Sequence, residues 1–200
     1  MSDNKLRVVL LLGTNRKHRK SENAAKWLFR KLEEREDISA RFFDPRDFQL
    51  PHDHYGMEIG QQFPEWKEAV IQADGIVIVT PEYNHGYPGI LKSILDLLLK
   101  EYIHKAVGLV GVSAGSWGGT RVIETLLPVV RELGLVPTFT DINFTKIGTR
   151  FDEEGNLLDE AYEKRAAAFI DELVWMATTL RWGRENVASK YHQDKEQVSE

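Results

Sequence analysis

Gly75-Ile76-Val77-Ile78-Val79 runs directly into Thr80-Pro81-Glu82-Tyr83-Asn84-His85-Gly86-Tyr87-Pro88-Gly89-Ile90-Leu91-Lys92-Ser93-Ile94-Leu95-Asp96. The first five residues are apolar without a break, as in a parallel strand buried on both faces. From Gly89 onward the apolar residues recur at helical spacing. Residues 81–86 therefore form a loop at the carboxyl end of a central strand, and that edge of an open α/β sheet is where ligands bind. Pro81 makes the loop rigid and Gly86 makes it permissive, so it can turn backbone N–H and C=O groups toward a planar ligand.

The same alternation extends in both directions. Residues 5–12 are rich in Val and Leu and end at Gly13, as a buried first strand would. Residues 23–35 place Ala24, Trp27, Leu28 and Leu32 at helical spacing, and residues 38–43 alternate as a second strand. Residues 44–64 carry Pro45, Pro51, Gly56, Gly60 and Pro64 and read as a long loop near the binding edge. A short helix over 65–73 precedes the third strand, 76–80. Helices are expected over 89–102 and 119–133, the latter stopped by Gly134. The fourth strand spans 106–112, and residues 136–147 hold a fifth strand with a continuation. A last helix over 158–180 has one apolar stripe, from Tyr162 to Ala177. Strand–helix alternation calls for a doubly wound parallel sheet with right-handed crossovers. One domain over residues 1–185 is expected, followed by a polar tail, 186–200.

The chain has 200 residues, 42% of them hydrophobic, which suffices for one α/β domain. Its formal net charge of −5, with both signs mixed along the chain, speaks against nucleic acid as a partner. No cysteine is present, so disulfides, zinc–thiolate sites and thiol chemistry are excluded. There is no signal core and no apolar run of membrane-spanning length, so a soluble, cytoplasmic protein with no membrane partner is expected.

Three loops carry the candidate chemistry. Residues 13–23, Gly-Thr-Asn-Arg-Lys-His-Arg-Lys-Ser-Glu-Asn, put hydroxyls and cations at a helix start, where phosphate binds well. Arg16 and Arg19 both offer forked hydrogen bonds to such a group. Residues 81–86 form the second loop. The third, Ser113-Ala114-Gly115-Ser116-Trp117-Gly118-Gly119, has glycines that allow a ligand close to the backbone. None is a P-loop or a Gly-x-Gly-x-x-Gly fingerprint.

Pro81-Glu82-Tyr83-Asn84 followed by Pro88-Gly89-Ile90-Leu91-Lys92 and Asp96 resembles the flavin-contacting loop of the NAD(P)H-dependent FMN reductases. The first loop is similar to that family's Gly-Ser/Thr-x-Arg pattern, with Thr14, Arg16 and Ser21 in the matching positions and a longer spacing that brings in Arg19. Ser113, Gly115, Gly118 and Gly119 match its Ser-x-Gly-x-x-Gly-Gly loop. The resemblance covers most of residues 6–140. It implies a flavodoxin-like fold, a five-stranded parallel sheet of order 2-1-3-4-5 with helices on both faces, and FMN at the switch between strands one and three. It also implies NADPH or NADH as donor, a small-molecule electron acceptor, and a homodimer or homotetramer. The site residues it implies are Thr14, Arg16, Arg19 and Ser21 for the phosphate, Pro81, Glu82, Tyr83 and Asn84 at the ring, and Ser113, Ala114, Gly115 and Ser116 on the ring and ribityl side. Tyr87, Ile90 and Leu97-Leu98-Leu99 offer more apolar surface than one core face needs, which fits an oligomer.

Two functions follow. One is an FMN-dependent oxidoreductase that takes a hydride from NAD(P)H and passes electrons to a flavin, quinone, azo compound or similar acceptor. The other is a flavodoxin-like electron carrier or flavin-binding regulatory protein; the basic first loop and modest acidity favour the enzyme. The remaining motifs read as structure. His52-x-His54 sits in a Pro-rich loop, Asp152-Glu153-Glu154-Gly155 is a turn, and Asn143-Phe144-Thr145 is a sequon only in a secreted chain. Trp27, Trp66 and Trp175 are expected in helix packing, and Trp117 near the site.

Overall fold

Continuous apolar strands and one-sided helices leave one good arrangement: strands in the middle and helices above and below. The computed structural model, which describes residues 5–51, 53 and 56–192, has this arrangement. Its parallel sheet contains β1 (Leu6–Leu12), β2 (Ile38–Phe43), β3 (Gly75–Pro81), β4 (Ala106–Val112) and β5 (Val136–Pro137) in the order β2-β1-β3-β4-β5. A further short strand, β6 (Ile142–Phe144), also pairs with β4. The helices are α1 (Ser21–Glu33), α2 (Gly56–Ile59), α3 (Pro64–Gln72), α4 (Gly89–Leu95), α5 (Thr120–Glu132) and α6 (Ala161–Asn186).

Successive strand residues face opposite ways, so each buried strand feeds two cores. Val8, Leu10, Leu12, Val77, Val79 and Val110 pack against α1 and α6 through Ala24, Leu28, Phe169 and Leu173. Val9, Leu11, Ile76, Ile78 and Leu109 pack against α3, α4 and α5 through Trp66, Val70, Leu91, Ile94, Ile123 and Leu126. Every residue of β3 and β4 is buried. Helices thus cover both faces, and the carboxyl ends of β1, β3 and β4 lie side by side in register, Leu12 beside Val79 and Pro81 beside Val112.

The expected fifth strand and its continuation are present as two pieces: residues 136–137 pair with the start of β4, residues 142–144 pair with its end, and the loop between them leaves Phe139 92% exposed. Pro137 has no N–H to give a ladder, which suits an edge segment. The helix from Gly89 ends at Leu95, because Leu97, Leu98 and Tyr102 turn into the core. The long loop 44–64 contains α2 and short turns, and its glycines let it lie on the end of α4: a Cβ at Gly56 would stand 2.4 Å from the Asp96 carbonyl oxygen. Trp27 and Trp66 are buried, but Trp175 is 61% exposed, since it falls between Leu173 and Ala177 on the outer side of α6.

The last helix extends six residues past the expected 180, to Asn186. Beyond it Tyr191 and His192 pack on His104, with 2.9 Å between the His104 Nδ1 and His192 Nε2 atoms. Asp152 closes its turn by accepting from the Asn156 N–H at 2.7 Å. His52 and His54 lie outside the described residues. Among the described residues, no helix is long and apolar enough to cross a membrane, and no group of three or more His, Asp or Glu could hold a metal.

Candidate functional site

The three loops meet. Gly13 donates its N–H to the Val79 carbonyl at 2.8 Å, which fixes the end of β1 against the end of β3. Thr14, 1% exposed, holds its Oγ1 3.3 Å from the Tyr83 phenol oxygen, so the first loop touches the second. Glu82 donates its N–H to the Val112 carbonyl at 2.9 Å, so the second loop is fixed to the end of β4, where the third loop begins.

The first loop is braced from within by Arg19. Its guanidinium, 1% exposed, donates to the Thr14 carbonyl, to both oxygens of Asp44 and to Glu22. Burial opposes this charge, but hydrogen bonds and attraction from Asp44, then Glu22, outweigh it and hold the pKa above the usual arginine range. Arg19 therefore does not face the open side of the loop, where the sequence left it as a phosphate candidate beside Arg16. Its direction is set by Asp44, at the end of β2, which sequence spacing does not reveal. Arg46 completes the brace from outside, donating to the carbonyls of Asn15 at 3.4 Å and Arg16 at 2.8 Å.

Arg16, by contrast, is exposed, with its guanidinium 5.7 Å from the centre of the Tyr83 ring, and Lys17, His18 and Lys20 are exposed beside it. Ser21 opens α1, and its Oγ is buried with no hydrogen-bond partner. The residue before it, Lys20, caps the helix with no side-chain hydrogen bond. A buried hydroxyl without a partner costs free energy, and a phosphate oxygen at this helix start would relieve it.

The second loop is a tight two-residue turn. Tyr83 and Gly86 exchange backbone hydrogen bonds of 2.9 and 3.0 Å, with Asn84 at φ 51° and His85 at φ 66°. The left-handed positions are thus Asn84 and His85, not Gly86 as the sequence suggests; two positive φ values are what a turn of the I′ type requires. Asn84 and His85 are exposed at its tip, while Pro81 is buried at its base.

In the third loop Ala114, Gly115, Ser116 and Trp117 are exposed and Gly118 and Gly119 are buried. The Gly115 carbonyl accepts from the Lys146 N–H at 2.9 Å and from the Ser113 hydroxyl at 3.1 Å, so the loop leans on the segment after β6. A Cβ built on Gly115 would meet nothing within 4 Å, which leaves a flat, open backbone surface. Arg121, in the first turn of α5, pairs with Glu82; nothing in the sequence spacing marked it. Beside the first loop a cavity of about 670 Å³ opens between Asn15, Leu50, Ile59, Ile90, Ser93 and Asp96. A separate cavity of about 410 Å³ near Phe43, Phe63 and Trp66 involves none of the three loops.

A hydroxyl-and-cation phosphate cradle at one end, and two backbone loops flanking a flat opening at the other, suit a flavin mononucleotide. The orphaned Ser21 hydroxyl and the open face of Gly115 both fit it. Residues 6–146 match the family model described as NADPH-dependent FMN reductase. The chain is 33% identical over 146 residues to an FMN-dependent NADPH-azoreductase of Staphylococcus aureus, across 69% of this chain and 78% of that one. Among solved structures it is similar in fold to a flavoenzyme NAD(P)H:acceptor oxidoreductase from Paracoccus denitrificans, with a TM-score of 0.73, 21% identity, and coverage of 87% of this chain and 98% of that chain. An NADH:FMN oxidoreductase in its apo form gives a TM-score of 0.68 at 19% identity over 86% of this chain and 90% of that one. The chain belongs to the NADPH-dependent FMN reductase family and is an NAD(P)H-dependent, FMN-using oxidoreductase.

Proposed function

We propose that the chain reduces small electron-poor molecules, such as a flavin, a quinone or an azo compound, with NADPH or NADH, through FMN seated on the three loops. The observation that carries the placement is the Ser21 hydroxyl, buried without a partner at the start of α1. Ser21 and Thr14 supply hydroxyls to the phosphate, and Arg16 supplies the cation. Arg19 supports this loop from inside rather than touching the ligand. Pro81, Glu82, Tyr83 and Asn84 border the ring edge, with the Asn84 N–H as the backbone donor for it, since the Glu82 and Tyr83 N–H groups are bonded to Val112 and Gly86; Ser113, Ala114, Gly115 and Ser116 line its other side.

FMN held on these loops would supply the redox chemistry, carrying the hydride equivalent of NAD(P)H, two electrons and one proton, to an acceptor that takes any second proton from solvent. The protein's own part is to bind, orient and exclude water. The three loops offer no cysteine and no facing pair of carboxylates, so no side-chain nucleophile is assigned. Tyr83, held by Thr14 at the start of the turn, is the side chain that meets donor or acceptor in this reading. Donor and acceptor use the same face in turn, and the cavity beside Asn15 and Ile90 gives the acceptor room.

A cytoplasmic homodimer or homotetramer is proposed as well, on narrower grounds than the sequence offered. Leu97 and Leu98 are core residues here, 2% and 4% exposed, which leaves Leu99, Tyr87 and Ile90 as apolar surface on the α4 side. Light scattering at micromolar concentration tests it, and a monomer would count against it.

The function is tested by titrating the apo protein with FMN at micromolar concentration, then following NADPH and NADH oxidation with free flavin, a quinone and an azo dye. Visible-band binding and turnover that alternates donor and acceptor are expected. Failure to take up FMN would overturn the reading.

A further inference from the structure

Glu82 carries an unusual charge for a loop beside a cofactor. Its side chain is only 5% exposed, and Oε1 receives Arg121 through Nε at 2.8 Å and Nη2 at 2.6 Å. Its other oxygen, Oε2, is buried with no hydrogen-bond partner. Arg121 lies on the outer side, 41% exposed, with its guanidinium 5.8 Å from the centre of the Trp117 ring, and Trp117 is itself 66% exposed.

The pair is oddly placed for helix stability. Arg121 is the second residue of α5, whose first turn holds no acidic side chain. A cation there opposes the helix dipole. Glu82 offsets that penalty, but it sits half-satisfied in a low-dielectric position where charge acts strongly on its surroundings. The two charges bracket the junction of the second and third loops, one buried at the base and one toward solvent.

We propose that the Glu82–Arg121 pair sets the reduction potential of the flavin bound at these loops. The inference rests on the reading above, that residues 81–84 and 113–116 border the ring. Reduction adds negative charge to the ring. The Glu82 carboxylate opposes that charge and the Arg121 guanidinium favours it, so the pair holds the potential between two extremes that either residue alone would impose. Trp117, stacked on Arg121, keeps the guanidinium over the junction.

The test is anaerobic redox titration of the FMN-loaded protein, followed by its visible spectrum, for the parent, Glu82→Gln, Arg121→Gln, the double variant and Arg121→Lys. Glu82→Gln should raise the potential and Arg121→Gln should lower it, each by about tenfold in the two-electron equilibrium, or about 30 mV. The double variant should return toward the parent, and Arg121→Lys should stay near it. A pair that only clamps the loops gives a different result: both single variants loosen FMN, and their potentials move together or not at all. That outcome overturns the proposal. If Arg121→Gln does not retain FMN, Glu82→Gln decides alone, since an unchanged potential there is equally fatal. FMN uptake by the parent is measured first; its failure would sink the reading of the site, whereas five FMN-loaded proteins of equal potential would sink only this inference.

Discussion

The Thr14 hydroxyl stands 3.3 Å from the Tyr83 phenol, a contact that spans 69 residues of sequence and ties the carboxyl ends of β1 and β3 together. It joins the loop read as a phosphate cradle to the loop read as a flavin edge. Since Thr14 is buried and Tyr83 half-buried, the contact also fixes how the Tyr83 ring is presented.

Removing the phenol tests whether it has a chemical role. Tyr83→Phe loses one hydrogen bond, worth about 0.5–1.5 kcal/mol of stability. It keeps the ring that faces Arg16 at 5.7 Å. Stopped-flow reduction of bound FMN by NADPH should therefore remain close to the parent rate, while Tyr83→Ala should change substrate affinity. Collapse of the reductive rate in Tyr83→Phe would show the hydroxyl to be a proton donor.

Arg16 and Arg19 should separate cleanly, although both are loop arginines. Arg16→Ala should weaken FMN binding by about 1–3 kcal/mol, the range for a charge-assisted hydrogen bond, with the apo melting temperature little changed. Lys17→Ala should weaken it less. Arg19→Ala removes the partner of two carboxylates, Asp44 and Glu22, and should cost about 3 kcal/mol of stability. Calorimetry of the apo proteins and FMN titration read the two effects separately. An apo melting temperature for Arg19→Ala equal to the parent's would show that its buried ion pairs are not what holds the loop.

How far the sequence reached follows from the range of the interactions. The strands β1, β3 and β4 were legible because they are apolar on both faces, and the three loops because glycine and proline mark them; the order of the strands came from the family resemblance rather than from the pattern. The direction of Arg19 was not legible. It depends on Asp44, 25 residues away, and on the crossover that brings β2 beside β1. The Glu82–Arg121 pair, across 39 residues, was hidden for the same reason. The end of α4 at Leu95 was missed because Leu97 and Leu98 suit a helix as well as the turn that buries them.

Acid should loosen the first loop before it unfolds the sheet. Burial raises the Asp44 pKa, but hydrogen bonds from Arg19 and from the Arg46 N–H outweigh it and hold the carboxyl below its usual range. The Glu22 carboxyl is also held low, first by Lys26 and then by Arg19. A carboxyl with a depressed folded pKa contributes stability that is complete above its unfolded value, about 4, and is lost as pH falls through the folded value. Apo stability should therefore be flat above about pH 5 on this account and fall below about pH 4. Asp44→Asn should start lower and show a shallower acid slope. A slope identical to the parent's would show that Asp44 does not titrate in folding.

Two glycines of the third loop should behave oppositely. At Gly115 an added Cβ meets no protein atom within 4 Å, so Gly115→Val should leave apo stability within about 0.5 kcal/mol, as for an open surface site. The same methyl groups would stand where the ligand is placed, and FMN affinity should fall by about tenfold or more, at least 1.4 kcal/mol. At Gly119 φ is +81° and a Cβ would lie 2.6 Å from the Val112 nitrogen, with backbone rather than a movable side chain in the way. Gly119→Ala should therefore destabilise the apo protein by about 1–2 kcal/mol from the left-handed strain, and further through the clash with the Gly111 and Val112 backbone. Thermal melts of both apo variants and FMN titration of Gly115→Val provide the comparison. Full FMN affinity in Gly115→Val would place the flavin elsewhere than on the open face of this loop.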